Sequence, residues 1–200
     1  PRQRQTAQIH PAYGSSVPHD RHNSRRMSTG PFGLLGLPAR FDLPDQAVES
    51  AFLARLGAVH PDLAGEDAAH DAAALTEARA TLADPEKRAS ALLACLGGPG
   101  ASDDRSLPDG FLMDIMELRE TAEADLAEDG DARARWGDLA AQRRAAHIER
   151  VAALFAELPD PPPLERLAEI RLELNAWRYT ERLIEQLDPG YDPADADFAG

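Results

Sequence analysis

His60-Pro61-Asp62 is the one place in this chain where an imidazole and a carboxylate stand together at a forced break between two helix-like runs. Both side chains exchange hydrogen bonds and charge with a partner readily. Pro61 disfavours helical geometry at His60 and supplies no backbone donor, so a helix must end there and leave the tripeptide facing water. The other reactive groups are isolated. Cys95 is the only cysteine, which excludes an intramolecular disulfide and a cysteine-built zinc site. It lies among Leu92, Leu93 and Leu96 and reads as a buried, inert thiol. His60 and His70 are ten residues apart across a loop, which is no recognised metal spacing. His147 reads as a partly exposed helix residue rather than a base. His10, His19 and His22 fall in a segment with nothing to fix their geometry. There is no phosphate-binding glycine loop, nucleophile motif or Cys/His ligand set. The residues therefore point away from an enzyme, and no cofactor or metal is expected.

The elements that must hold the tripeptide follow from periodicity. Pro44 to Val59 carries Val48, Phe52, Leu56 and Val59 at gaps of four, four and three, one stripe of a helix that Pro44 can open. Gly57 is an oddity in it, costing about 1 kcal/mol against alanine. Glu66 to Leu82 repeats the pattern with Leu75, Ala78 and Leu82. The tripeptide thus sits at the tip of a helical hairpin. Before it, Phe32, Leu34, Leu35 and Leu37 can form a turn or two of helix that packs on the hairpin, followed by a connector to Leu43. After it, Asp84 caps a helix that Pro85 opens, with Ala89, Leu92, Leu93 and Leu96 on one face. Gly97-Gly98-Pro99-Gly100 breaks that helix and makes 99–108 the best linker in the chain.

Three more helices are expected beyond it. One runs from about Asp109 to Leu126. The next runs from Asp131 to Leu158, with Trp136, Leu139, Arg143, Ala146, Val151, Leu154 and Phe155 near one side. The last runs from Leu164 to Leu187, with Leu167, Ile170, Leu174, Trp177 and Ile184 inward. Short connections favour an antiparallel bundle. The expected architecture is all-α: an extension over 1–30, a hairpin unit over 31–98, a linker over 99–108, a three-helix bundle over 109–190 and an acidic tail over 191–200. The extension, with five arginines against Asp20 alone, is expected to be disordered. It reads as sequence upstream of a start at Met27 or as an organelle transit peptide, the first being preferred.

Composition narrows the function. The 200 residues hold 21 Lys+Arg against 35 Asp+Glu, a net charge of −14, which argues against nucleic acid or an anionic membrane as main partner. Hydrophobic content of 43% supports a real core. The longest apolar runs are too short for a transmembrane helix.

His-Pro-Asp alone arises by chance in on the order of one such chain in a hundred. Set on a helical hairpin between two further helices, it resembles a J-domain. Phe32-Gly33-Leu34-Leu35-Gly36-Leu37-Pro38-Ala39-Arg40-Phe41, then Thr81-Leu82-Ala83-Asp84-Pro85 with Arg88, then Phe111-Leu112-Met113-Asp114-Ile115-Met116-Glu117-Leu118-Arg119-Glu120 are similar to the HscB-type J-domain co-chaperones of iron-sulfur cluster assembly. The resemblance spans about Pro31 to Leu187. It implies a protein that brings an IscU-type scaffold to an HscA/DnaK-class chaperone and stimulates its ATPase, in the bacterial cytoplasm or, alternatively, the mitochondrial matrix. His60, Pro61 and Asp62, with Arg55, would contact the chaperone. Leu112, Met113, Met116, Glu117, Glu120 and Tyr179 would contact the scaffold.

The residues themselves leave alternatives open. His60 and Asp62 also suit plain helix capping. Leu112, Met113 and Met116 form a second apolar face on a helix whose first face is Phe111, Ile115, Leu118 and Ala122. That second face is either extra core against the hairpin unit or an exposed docking patch. Tyr179 also reads as an ordinary bundle aromatic. The chain departs from the family as well. Only Arg55 is basic in Phe52–Val59, where J-domains usually carry several cations, Leu63 follows the tripeptide, and Asn-Glu-Ala-Tyr becomes Thr76-Glu77-Ala78-Arg79. Arg40, Arg55, Arg79, Lys87 and Arg88 are the only bases in 31–98 against ten acids. Steering toward an acidic partner should be weak. The remaining readings are a general J-domain co-chaperone for other clients and a helical interaction module whose J-domain has decayed.

Overall fold

Proline, aspartate and glycine set the helix ends. The computed structural model describes residues 30–58, 66–128 and 131–187. Within them the chain forms α1 (Pro31–Leu35), α2 (Asp45–Ala58), α3 (Glu66–Ala83), α4 (Pro85–Cys95), α5 (Phe111–Glu128), α6 (Ala132–Ala156) and α7 (Leu164–Leu187), with no strand among the described residues. This is the expected all-α class, with boundaries displaced by one or two residues at frayed ends. The proposed extension and the acidic tail lie outside the described residues. No described helix is long and apolar enough to cross a membrane.

Local chemistry explains the caps. The Asp84 carboxylate accepts the Glu86 and Lys87 amides at 2.9 and 3.0 Å, and Pro85 takes the position where a missing N–H costs nothing. Gly97, at φ 78°, lets the Gly98 amide return to the Leu93 carbonyl at 3.0 Å, so the glycine-rich break is first of all a helix cap. Gly36, at φ 70°, closes α1 the same way. A side chain there would be strained and would meet the Arg55 guanidinium. Pro44 sits one residue before α2, its carbonyl accepting the Ala47 and Val48 amides.

The apolar residues form two cores. The first joins Phe32, Leu35, Val48, Phe52, Leu75, Ala78, Leu82, Ala89, Leu92 and Leu93 to Val151 of α6 and to Leu167, Ile170, Leu174 and Trp177 of α7. The connector belongs to it too. Phe41 and Leu43 are buried, and the Phe41 ring lies 5.9 Å from that of Phe155. The second core gathers Ile115 and Ala122 of α5, Ala132, Trp136 and Ala140 of α6 and Leu183 of α7. The α6–α7 pair therefore serves both, its one end fused to the hairpin unit and its other end carrying α5.

Some residues expected inward are not. Leu56 is 37% exposed. Each four-residue step turns about 40° past a full turn, so by Leu56 the stripe begun at Val48 has drifted to the helix flank. Ala146 is exposed because the buried side of α6 runs through Trp136, Ala140, His147 and Val151, about 100° away. Cys95 and Leu96 are half-buried at the edge of α4's buried face rather than sealed.

Polar contacts tie the hairpin unit to α7. Asn175 Nδ2 donates to the carbonyls of Asp104 and Ser106 at 3.0 and 2.9 Å, pinning the connecting segment. Arg178 Nη1 lies 3.5 Å from Glu86 Oε2 of α4. Burial pushes the Glu86 carboxyl above its ordinary 4.5, assisted by Asp84 and Glu181 and only partly offset by Arg178 and Arg171. The folded chain then holds that proton more tightly than the unfolded chain. Stability contributed by Glu86 is present at low pH and falls as pH rises from 4.5 through the raised value. Glu86→Gln should remove this dependence. In thermal melts the variant should gain on the wild type as pH rises from 4.5, and a constant difference would contradict the assignment.

Candidate functional site

α5 is anchored by one face and open on the other. Ile115 and Ala122 are buried against α6 and α7, with Phe111 and Leu118 half-buried beside them. Trp136 Nε1 of α6 donates to Asp125 Oδ2 at 3.0 Å and fixes the helix's rotation. At about 100° per residue the opposite side holds Leu112, Met113, Met116, Glu117 and Glu120. All five are exposed: Leu112 at 47%, Met113 at 78% and Met116 at 53%, with the two glutamates along the rim. The second apolar face is therefore not extra core. Methionine's flexible thioether suits an adaptable contact. Three large apolar side chains thus meet water within two turns of this helix.

Tyr179 packs against the second core and meets the start of this helix at Phe111. It is half-buried, edge-on to Phe111 at 6.0 Å between ring centres and 77° between planes, with the Arg182 guanidinium 5.8 Å over its ring. It thus props Phe111, the residue before Leu112.

The hairpin helices pack as expected. Leu75, Ala78 and Leu82 are buried against α1 and α2, and Arg79 of α3 pairs with Glu49 of α2. His60, Pro61 and Asp62 lie outside the described residues, between the end of α2 and the start of α3. Arg55 is exposed near the end of α2, its guanidinium turned back over Gly36.

His147 is the partly exposed helix residue expected, and its partners lie on α7. It is half-buried between α6 and α7, its Nδ1 2.7 Å from Glu173 Oε1 and its Nε2 3.0 Å from Thr180 Oγ1. Its ring lies parallel to Trp177 at 6.2 Å. Glu173 also pairs with Arg150, and Trp177 Nε1 donates to Glu181, which pairs with Arg144. Both ring nitrogens are thus engaged within the fold, and the cluster cross-links two helices. No spacing within α6 reveals partners 26 and 33 residues away. Among the described residues no group of His, Cys, Asp and Glu could hold a metal ion.

Fold and patch together define an all-helical interaction protein, a hairpin unit coupled through α6–α7 to a helix with an open apolar face. Residues 107–188 match the model of the HSCB C-terminal oligomerisation domain. The chain is 35% identical over 174 residues to the co-chaperone protein HscB homolog of Burkholderia multivorans, covering 83% of this chain and 82% of that one. The chain belongs to the HscB co-chaperone family. The fold also matches the solved chaperone HscB from Vibrio cholerae, with a TM-score of 0.62 at 24% identity over 79% of this chain and 94% of that one. Human co-chaperone protein HscB matches equally, with a TM-score of 0.62 at 20% identity over 78% and 79% of the two chains.

Proposed function

We propose that this family member is a scaffold-specific J-domain co-chaperone. Through the α5 patch, in the unit over 109–190, it holds an IscU-type iron-sulfur scaffold. Through His60, Pro61 and Asp62, in the unit over 31–98, it presents that cargo to an HscA/DnaK-class chaperone and stimulates ATP hydrolysis. The tripeptide does not touch ATP. It competes for hydrogen bonds and ion pairs in the chaperone and so favours the hydrolysing state. The observation that carries this reading is the exposure of Leu112, Met113 and Met116 on the side of α5 opposite its core. The bacterial relative supports action in the bacterial cytoplasm.

Calorimetric titration with the scaffold tests the reading. The intact protein should bind, and Met113→Ala should weaken binding by about ten-fold, the loss typical of a central apolar contact. The melting temperature should not change, because Met113 touches solvent rather than core. Failure of the intact protein to bind would remove the scaffold from the mechanism.

A further inference from the structure

Met113 and Met116 are the methionines of the described residues, and both stand on the open face of α5. Met113 is 78% exposed and Met116 53% exposed, so water and small solutes reach both thioethers. Three residues apart on a helix, they are neighbours. Leu112, one turn before Met116, fills the same patch without a sulfur, so an apolar contact here does not require one. Other oxidisable groups are better covered. Cys95 is half-buried, and the Trp136 and Trp177 rings are buried. Met27, the third methionine of the chain, lies outside the described residues. Glu117 follows Met113 by four residues, and Arg119 and Glu120 follow Met116 by three and four. Acids outnumber bases beside the sulfurs, which disfavours an anionic oxidant and leaves an uncharged peroxide free to approach.

The reaction is a two-electron oxygen transfer. A sulfur lone pair attacks one peroxide oxygen, the S–O bond forms as the O–O bond breaks, and the other oxygen leaves as water. The thioether is oxidised and the peroxide reduced. The sulfoxide is polar and chiral where the thioether was flexible and apolar. A partner covering the patch would then strip water from the new oxygen without supplying a donor. The other face of α5 holds Ile115 and Ala122 in the core and contains no sulfur, so the fold survives. We propose that Met113 and Met116 form a reversible, peroxide-sensitive modification site, at which oxidation to the sulfoxides turns off docking on α5 and sulfoxide reduction turns it on again. This rests on the scaffold-docking reading above.

The test oxidises the full-length protein with hydrogen peroxide, removes the peroxide, returns Cys95 to the thiol with a reductant and then titrates the protein with the untreated scaffold in a calorimeter. Peptide mass mapping should find sulfoxide at positions 113 and 116. The Kd should rise about ten-fold or more. The circular dichroism melt should match that of the untreated protein, because both positions are exposed. Reductases specific for each sulfoxide epimer should together return the Kd to its untreated value. Met113→Leu/Met116→Leu, compared only with its own untreated sample, should keep its Kd within about two-fold after peroxide, because leucine has no sulfur to oxidise. Unchanged affinity in a protein mapped as oxidised at both positions, a loss that the reductases do not reverse, or an equal loss in the double variant overturns the switch and leaves the scaffold reading standing. Oxidation that reaches Met27 and spares both α5 positions overturns it too. An untreated wild type that never binds the scaffold overturns that reading and this proposal with it.

Discussion

His60→Gln should return the chaperone's ATP hydrolysis to its unstimulated rate while leaving scaffold binding intact. The substitution keeps a side chain of similar length that can still form hydrogen bonds, but removes the imidazole and its capacity for charge. The core that α2 and α3 share is built from Val48, Phe52, Leu75, Ala78 and Leu82, none of which the substitution changes. A ten-fold stimulation corresponds to about 1.4 kcal/mol in the partner's barrier. One or two hydrogen bonds to a charged group supply that much, so losing them suffices to abolish the effect. Steady-state ATPase assays with and without scaffold check it. Retained stimulation would show that the tripeptide is a helix-capping device. An absence of stimulation even by the wild type would favour a helical module with a decayed J-domain.

Trp177→Ala should give the largest loss of stability. Trp177 is fully buried and is the largest side chain so enclosed. It sits in the core shared by the hairpin helices, α6 and α7, lies parallel to His147 and donates to Glu181 at 2.6 Å. Truncating it leaves a cavity and takes one of two contacts from Glu181 Oε1, which keeps Arg144. The expected cost is about 3–5 kcal/mol, or a fall in Tm of roughly 6–20 °C. One core joins both halves of the chain, so wild type and variant should each melt in a single transition followed by circular dichroism. Two separated transitions in the wild type would show that the hairpin unit and the α6–α7 pair fold independently.

Much of this architecture is written in short-range chemistry. Asp84-Pro85 caps α4, Gly36 and Gly97 end α1 and α4, and the intervals of three and four among Leu75, Ala78 and Leu82 or Leu167, Ile170 and Leu174 place those residues inward. Each depends on backbone bonds or neighbours within a few residues, so the amino-acid order alone determines it. The two faces of α5 are legible for the same reason. Which of them meets water is not, because that depends on what α6, α7 and the hairpin unit cover.

Tertiary structure made the remaining decisions. It buried Phe41 and Leu43 of a connector with no periodicity, turned His147 into an interhelical link to Glu173 and Thr180, and left Leu53 and Leu56 uncovered on α2. It also let one core run from α1 to α7 across a segment that reads as a linker, with Asn175 holding that segment in place. Such pairings join residues far apart in the chain. A helix pattern states which side of a helix is apolar, and only the assembled neighbours determine what that side touches.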